Sequence, residues 1–248
     1  MLYSEVRRGP NCWLSVEGTK HPYSVNALSK TQVDRLGDRL RKGMTTEADF
    51  HQLDAYRRSF AEAYEEVVAT IRDATQLGPT GRPAKSTTSI IEKLRRETIR
   101  LSQMQDVAGC RLVVPNLVVQ DQVVERLKSA LPKAVVVDRR KQPSFGYRAV
   151  HVIATARNKP IEIQVRTELQ HIWAQMSEKL SDVVDPAVKY GGGDSDIQDI
   201  LTRFSKIIAS FEDKESLASA VELLGGLSQI LKYAIEKWGS GPKQEGGN

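Results

Sequence analysis

The sequence predicts an α+β protein in which a mixed β-sheet is flanked by helices. Helical periodicity dominates both ends of the chain, whereas apolar runs of strand length fill the middle. One of these runs, residues 160–166, alternates between Ile161, Ile163 and Val165 on one side and polar residues on the other. This alternation is typical of a strand with one buried face. We therefore expect two to four strands with about seven helices packed around them.

Two amphipathic helices are predicted at the start of the chain. Leucine and valine residues recur at helical spacing from 25 to about 42, and Gly43 supplies a stop signal. Apolar residues continue at three- and four-residue steps over 46–74, which predicts a single long helix. Residues 77–86 contain two glycines and two prolines, so this segment is predicted to be a loop.

The middle of the chain begins with a helix and then changes to strands. Ser89 followed by Glu92 is a capping-box pattern, which predicts that a helix opens at this point. The next elements are predicted to be a strand, a crossover helix and three more strands: 107–114, 118–131, 134–138, 147–155 and 160–166. Thr167 is then expected to cap another helix.

Composition divides the chain into four predicted parts. A helical extension covers 1–45, the α+β domain 46–183, C-terminal helices 184–238 and a disordered tail 239–248. The C-terminal helices are expected over 196–212 and 215–238. The first of them has an apolar stripe, which favours packing back onto the core over binding a partner: Ile197, Leu201, Phe204 and Ile208.

Length and composition exclude several classes of protein. The 248 residues are 40% hydrophobic and 27% charged, which is ordinary for a globular chain. No apolar run approaches the ~18 residues of a membrane helix, and the N-terminus has no secretory h-region. Cys12 and Cys110 belong to no metal-binding motif. We therefore expect a cytoplasmic protein without a membrane partner, and its net charge of +5 is compatible with nucleotide or RNA partners.

The polar side chains of the predicted strands indicate where chemistry takes place. A solvent-facing strand would also alternate, so the polar residues of 160–166 are not diagnostic alone. Neighbouring strands, however, add a second carboxylate, further cations and two aromatic polar groups to the same predicted face: Asp106, Glu162, Arg111, Arg166, Gln164, Tyr147 and His151. Two carboxylates on adjacent strands are able to hold Mg²⁺, which prefers oxygen ligands.

A second cationic group precedes this face in the chain. Arg82, Lys85 and Lys93 surround a glycine- and proline-containing loop that leads into a helix N-terminus. Backbone N–H groups and the helix dipole favour phosphate at such a place. Together with the carboxylates, these residues predict Mg²⁺-dependent nucleotide chemistry.

Four short motifs make the chain resemble the synthetase domain of the RelA/SpoT family, the (p)ppGpp synthetases. They occur in the family's order within residues 46–182: RPAKSTTSIIEKL at 82–94, QDVAGCR at 105–111, FGYRAVH at 145–151 and EIQVRT at 162–167. The chain departs from the family in one place. The family spaces its first loop as RxKxxxS, whereas here Arg82 stands three residues before Lys85, with Pro83 between them.

The resemblance implies transfer of the pyrophosphate of ATP to a 3′-hydroxyl with release of AMP, in a nucleotidyltransferase-like fold. Asp106 would match the family's Mg²⁺-binding aspartate, and Glu162 would complete the metal site and help to activate the hydroxyl. Residues implied to bind ATP are Arg82, Lys85, Ser89, Lys93 and Arg111, although Ser89 is equally well explained as a helix cap. Tyr147 would stack on the acceptor base, His151 would contact acceptor phosphate, and Gln164 and Arg166 would support the site.

The acceptor divides the small members of this family. Some are housekeeping alarmone synthetases that use GDP or GTP, and others are growth-inhibiting toxins that modify the 3′ end of tRNA or an adenine nucleotide. Ala149 replaces a serine of the alarmone makers, and the basic residues Arg139, Arg140 and Lys141 suit an RNA backbone. We therefore expect a stand-alone, toxin-like enzyme acting on tRNA, for which an antitoxin protein would be a partner. An alarmone synthetase and a catalytically silent binding module are the alternatives.

Overall fold

The sheet at the centre of the protein has five strands. The computed structural model describes residues 28–214 together with Gly225, Gly226, Ser228 and Lys232. In it, the strands are Thr80–Arg82 (β1), Ala108–Val114 (β2), Val135–Asp138 (β3), Val150–Ala156 (β4) and Lys159–Thr167 (β5). Their order is β1-β2-β5-β4-β3, in which β2 and β5 are parallel and the other neighbours antiparallel. The predicted α+β class with a mixed sheet is confirmed.

Helices surround this sheet. They span Lys30–Lys42 (α1), Glu47–Arg58 (α2), Ala61–Thr75 (α3), Thr87–Arg96 (α4), Leu117–Ala130 (α5), Glu168–Val183 (α6) and Ser195–Lys214 (α7). The helix α1 ends where the sequence predicts, because Gly43 adopts the left-handed φ of 70° that glycine tolerates best. Thr167 caps α6 as expected, since its hydroxyl accepts a hydrogen bond from the backbone N–H of Gln170.

The long helix predicted over 46–74 is wrong, because α2 and α3 are separate helices. The Ser59 hydroxyl donates to the Tyr56 carbonyl at 2.6 Å, and the Phe60 backbone N–H bonds to the Arg57 carbonyl. A serine that competes for helix carbonyls in this way favours a break. Apolar spacing continues across the break, with Phe60 fully buried, and for that reason periodicity alone does not reveal it.

Two further corrections concern the segment around residue 80. The predicted loop contains the short strand β1, in which Gly81 pairs with Cys110. A Cβ at position 81 would lie 2.5 Å from the Gly109 carbonyl oxygen, so only glycine allows this close approach. The capping box predicted at Ser89 is also misplaced. Ser86 is the cap of α4, and its hydroxyl accepts from the Ser89 N–H at 3.2 Å.

Two apolar clusters hold the described residues together. The larger one lies between α1–α5 and the sheet face formed in part by Ile161, Ile163 and Val165, as the alternation predicts. The smaller one joins α6 to α7 around Trp173 and includes the predicted stripe: Ile197, Leu201, Phe204 and Ile208. The helix α7 therefore packs back onto the rest of the chain.

Several predictions fall outside the described residues, namely those on 1–27, most of 215–238 and the tail. Gly226 is one of the described residues of this region, and an added Cβ there would lie 2.9 Å from Ile207 of α7. The domain boundaries predicted above remain predictions. Among the described helices, none combines the length and the apolar character that a bilayer crossing requires.

Phe60 should contribute far more to stability than a second phenylalanine of the same helical region. Phe60→Ala leaves a cavity in the core and should lower the free energy of unfolding by about 3–5 kcal/mol. Phe50 is 44% exposed, so Phe50→Ala should cost about 1 kcal/mol or less. Urea unfolding of both variants measures the difference, and equal losses would contradict the described packing of α2 and α3.

Candidate active site

The face of β5 opposite the core carries the candidate site. In the sheet register, Glu162 lies beside Gly109 of β2 and Ile153 of β4, and Gln164 lies beside Arg111 and His151. Residues paired in register point to the same face of a sheet. Arg111, His151, Glu162, Gln164 and Arg166 therefore share one face, as the sequence predicts.

Asp106 lies just before β2 and is bound by two lysines. Lys85 Nζ lies 2.7 Å from Asp106 Oδ2, and Lys93 Nζ lies 2.9 Å from Oδ1. Burial alone would raise the pKa of Asp106, but the two ammonium groups outweigh it and hold the pKa below its usual value. The carboxylate is therefore ionised and surrounded by cations that would also attract phosphate.

Glu162 is surrounded by polar donors. His151 Nδ1 lies 2.9 Å from Glu162 Oε1, and Gln164 Nε2 donates to Oε2 at 2.8 Å. Burial raises the pKa of Glu162, but the hydrogen bonds from His151 and from the Gln164 amide outweigh burial and lower it. The pKa of Glu162 consequently lies below its ordinary value, so the carboxylate is ionised at neutral pH and accepts hydrogen bonds.

Arg111 shares one feature with Arg166: the buried Nε of each has no hydrogen-bond partner in the part of the chain that the structure describes. Burial and the nearby Arg166 guanidinium both lower the pKa of Arg111. Two guanidinium groups held this close favour an anion between or beside them.

Two clefts open on this face. One has a volume of about 730 Å³ and extends from Asp106 past Tyr147 to Tyr190, and the other, of about 590 Å³, lies over Thr80, Gly81 and Arg111. They share six lining residues: Lys85, Asp106, Glu162, Gln164, Arg166 and Glu178. Two ligands bound in the two clefts would therefore meet at the carboxylates.

The turn that carries Tyr147 depends on the C-terminal helices. Phe145 and Gly146 have φ angles of 53° and 87°, and a Cβ at Gly146 would lie 2.7 Å from Trp173 Cζ2. Trp173 Nε1 donates to the Leu201 carbonyl of α7 at 2.8 Å. Further along α7, Glu212 lies 3.9 Å from Arg148 of the same turn. The helices α6 and α7 thus hold the turn from one side.

Residues 81–181 match a family described as the region found in RelA/SpoT proteins. The chain contains a RelA/SpoT region. Two relatives are the uncharacterized proteins Rv1366 of Mycobacterium tuberculosis and Mb1401 of Mycobacterium bovis. Each is 31% identical over 182 residues, which cover 69% of this chain and 64% of the relative. The chain thus spans slightly less than two thirds of the length of these relatives.

Solved structures of this family share the fold. The small alarmone synthetase 1 from Bacillus subtilis is 25% identical with a TM-score of 0.52, over 72% of this chain and 98% of that chain. The same enzyme bound to its product pppGpp is 24% identical with a TM-score of 0.52, over 72% and 99% of the two chains. The helices beyond the sheet are therefore part of a known architecture.

The RelA/SpoT motif residues converge on the clefts, with exceptions among the predicted cations. Ser89, Lys93 and Arg139 line the larger cleft. The backbone of Arg82 lies in β1, and its side chain is outside what the structure describes. Lys141 is exposed and lines neither cleft.

Arg140 has other partners. Its guanidinium pairs with Asp138 at 2.9 Å and with Asp121 at 2.8 Å, and donates to Gln120 at 3.1 Å. Its side chain is 17% exposed. The structure thus separates the three basic residues that the sequence groups together, because a nearby carboxylate neutralises the middle one.

Sequence reasoning missed the outer wall of the larger cleft. Arg96 at the end of α4 stacks on Tyr190, with its guanidinium carbon 3.4 Å from the ring centroid, and Lys189 lies beside it. Trp173 forms another part of the wall. The only sequence signal was a tyrosine before the glycines at 191–193, which indicates a turn and gives no hint of its neighbours.

The donor set at the carboxylates fits Mg²⁺. Asp106 and Glu162 supply oxygen atoms, which Mg²⁺ prefers, and Mg²⁺ usually takes one or two carboxylates together with waters and substrate phosphates. No group of three or more acidic, histidine or cysteine ligands exists among the described residues. The site therefore suits a metal that a bound nucleotide helps to hold, and it does not suit a closed structural metal.

Gly146 should tolerate no side chain. Gly146→Ala needs a left-handed φ and pushes a methyl group into Trp173, so it should lower the free energy of unfolding by about 1–3 kcal/mol. Gly78→Ala is the matched control, because nothing lies within 4 Å of its added Cβ, and it should change stability by about 0.5 kcal/mol or less. Thermal and denaturant unfolding provide the measurement, and equal effects would argue against the docking of the turn on α6.

Proposed function

We propose that the protein transfers the pyrophosphate group of ATP to a 3′-hydroxyl and releases AMP. The observation that supports this best is the pair of clefts that meet at Lys85, Asp106 and Glu162. A transfer between two nucleotide-like substrates needs such a common point, because donor and acceptor must be in contact when the group moves.

The cleft over Thr80, Gly81 and Arg111 suits the donor. The guanidinium of Arg111 supplies positive charge there, and its Nε has no hydrogen-bond partner among the described residues. Lys85 lines the same cleft and the shared region. Lys85 and Lys93 bind Asp106 and would neutralise the phosphates of ATP as they approach it. Positioning and charge neutralisation carry most of the catalysis in phosphoryl-type transfers.

The reaction joins the acceptor oxygen to the β-phosphorus of ATP. The bond between the β-phosphorus and the oxygen that bridges it to the α-phosphorus breaks, and AMP leaves with that oxygen. Glu162, ionised and within the shared region, takes the hydroxyl proton. Asp106 and Glu162 would hold Mg²⁺, which when bound supplies further charge neutralisation at the phosphates.

The 3′ end of tRNA is the acceptor that we propose, in a growth-inhibiting enzyme whose partner would be an antitoxin protein. The larger cleft supports it, since Arg96, Arg139 and Lys189 line it together with Trp173 and Tyr190, and Arg96 is partly neutralised by Glu97 at 3.1 Å. Ala149 replaces the serine of alarmone makers. A basic groove with aromatic platforms is typical of single-strand binding.

GDP or GTP is the second candidate acceptor. A specific observation favours it, because the solved structure at 25% identity is named a small alarmone synthetase. The neutralised Arg140 also removes one cation that would otherwise support RNA. In this case the product would be an alarmone, and the outer part of the larger cleft would hold the 5′-phosphates.

Replacing either carboxylate should abolish transfer. Asp106→Asn and Glu162→Gln should each lower the rate at least ~100-fold, since outer-shell losses at metal sites already cost 10–100-fold. The measurement uses γ-labelled ATP and Mg²⁺ with tRNA, GDP or GTP, and follows both the labelled acceptor and the release of AMP. Asp199→Asn is the matched control, because Asp199 pairs with Arg203 on the surface of α7.

Each outcome of this assay has a distinct meaning. More than a tenth of wild-type activity in either variant would contradict the roles of the two carboxylates. Release of ADP in place of AMP would indicate transfer of one phosphate group. No transfer from the wild type to any acceptor would favour the silent binding module.

Salt dependence should distinguish the two acceptors. If tRNA is bound, Arg139→Gln should weaken binding and reduce the slope of log affinity against log salt by about 0.7, the value for one phosphate contact on a single strand. Lys141→Gln removes the same charge two residues away but outside both clefts, so its effect should be smaller. Unchanged tRNA binding in Arg139→Gln, with efficient use of GDP or GTP, would overturn the tRNA proposal.

A further inference from the structure

Glu162 lies in a closed ring of five hydrogen bonds, which we call the Glu162 ring. One branch runs from Arg166 Nη2 to the Tyr147 hydroxyl, from there to His151 Nε2, and from His151 Nδ1 to Glu162 Oε1, each step 2.9 Å long. The other branch runs from Arg166 Nη2 to Gln164 Oε1 and from Gln164 Nε2 to Glu162 Oε2, at 2.8 Å each. Both oxygens of the carboxylate are thus tied to one guanidinium.

The chemistry of the two ends fixes the direction of four of the five bonds, because a guanidinium only donates and a carboxylate only accepts. The Tyr147 oxygen therefore accepts from Arg166. The fifth bond joins Tyr147 to His151, and with a neutral imidazole the tyrosine proton is donated to His151 Nε2. His151 must then carry its proton on Nδ1 and donate it to Glu162. On the other branch, Gln164 accepts with its oxygen and donates with its amide nitrogen.

We infer that the Tyr147 hydroxyl and Arg166 are positioning residues, which act through His151 and Gln164 to fix the Glu162 carboxylate. This inference rests on the proposed function, in which Glu162 takes the proton of the attacking hydroxyl. The ring holds His151 in its Nδ1–H form and turns both Glu162 oxygens into oriented acceptors. A carboxylate base that is fixed in this way stays in the orientation in which it accepts the hydroxyl proton.

The ring gives the Tyr147 side chain a second role beside stacking. Its aromatic ring lies between Arg166, whose guanidinium carbon is 5.0 Å from the centroid, and Trp173, whose ring centroid is 6.4 Å away. Stacking on an acceptor base needs only this ring, and a phenylalanine would provide it. The hydroxyl lies at the middle of the first branch, and its loss leaves His151 Nε2 without its donor.

Tyr147→Phe therefore separates the two roles, because it keeps the ring and removes the hydroxyl. We expect kcat to fall about 10- to 100-fold, the range for losing an outer-shell partner. The acceptor KM should change less than about 3-fold, since the stacking surface is intact. Tyr56→Phe is the matched control: it removes a hydroxyl from α2, where the ring packs against Phe60 and lines neither cleft, and should leave both parameters unchanged.

A spectroscopic measurement tests the ring without relying on activity. Long-range ¹H–¹⁵N spectra of protein labelled at histidine nitrogens report which imidazole nitrogen carries the proton, and His151→Gln assigns the signal. The wild type should show His151 protonated at Nδ1, and Tyr147→Phe should shift the Nε2 signal while Tyr56→Phe does not.

The outcomes divide cleanly. A His151 proton on Nε2 in the wild type, or an unchanged Nε2 signal in Tyr147→Phe, would overturn the ring. Full kcat in Tyr147→Phe with an altered spectrum would overturn the positioning role. If the wild type transfers no pyrophosphate, the proposed function fails, and the spectra still decide whether the ring exists.

Discussion

The side chain of Arg166 imposes the strongest constraint on the site. Arg166 is 4% exposed, and a buried guanidinium is costly unless acceptors surround it. The Tyr147 hydroxyl and the Gln164 carbonyl oxygen accept from its Nη2, whereas its buried Nε has no hydrogen-bond partner among the described residues. Tyr147 then connects to Glu162 through His151, and Gln164 connects to it through its own amide nitrogen. Arg111, on the neighbouring strand, has no such acceptors, and the two arginines together leave an excess of positive charge on the face. Asp106 and Glu162 compensate part of this charge, and a phosphate group of a substrate would compensate more.

The C-terminal helices belong to the site as much as the sheet does. Glu212 near the end of α7 bonds to the hydroxyl of Thr167, which caps α6, and to Gln170 in the first turn of α6. Glu212 also lies near Arg148 of the turn before β4. Lys189 and Tyr190, between α6 and α7, form one end of the larger cleft. In the sequence, the glycines at 191–193 separate the C-terminal helices from the α+β domain. In the structure the two parts pack together, because Trp173 belongs both to the cleft wall and to the apolar cluster between α6 and α7.

Much of the fold and site follows from local sequence signals. The alternation of Ile161, Ile163 and Val165 predicts which face of β5 is polar, and the spacing of Tyr147 and His151 predicts their common face. Features set by long-range packing do not follow. The β1 strand exists because Gly81 and Gly109 allow two backbones to approach, and Arg140 pairs with Asp121 of α5 in addition to its neighbour in the chain, Asp138. A residue's own neighbours in the chain carry no information about such partners.

A local rule also fails where two signals compete. Ser86 and Ser89 both precede an apolar helical pattern, and the Ser86 hydroxyl forms the cap while Ser89 donates its backbone N–H to it. The break between α2 and α3 has the same origin, since Ser59 interrupts a run that Phe60 continues by its apolar character. In both cases a serine hydroxyl determines where a helix begins or ends. The spacing of the apolar residues is the same either way, so it does not predict that position.

The position of β5 has a consequence for how the chain folds. It is the last of the five strands to be synthesised, yet it lies in the middle of the sheet, between β2 and β4. Without it, β1 with β2 and β3 with β4 would be two strand pairs that share no hydrogen bond, each with an open edge at the place of β5. Such edges invite pairing with other chains during biosynthesis. The same insertion brings Glu162 to Asp106, so the nascent protein has no complete carboxylate pair until its central strand is in place.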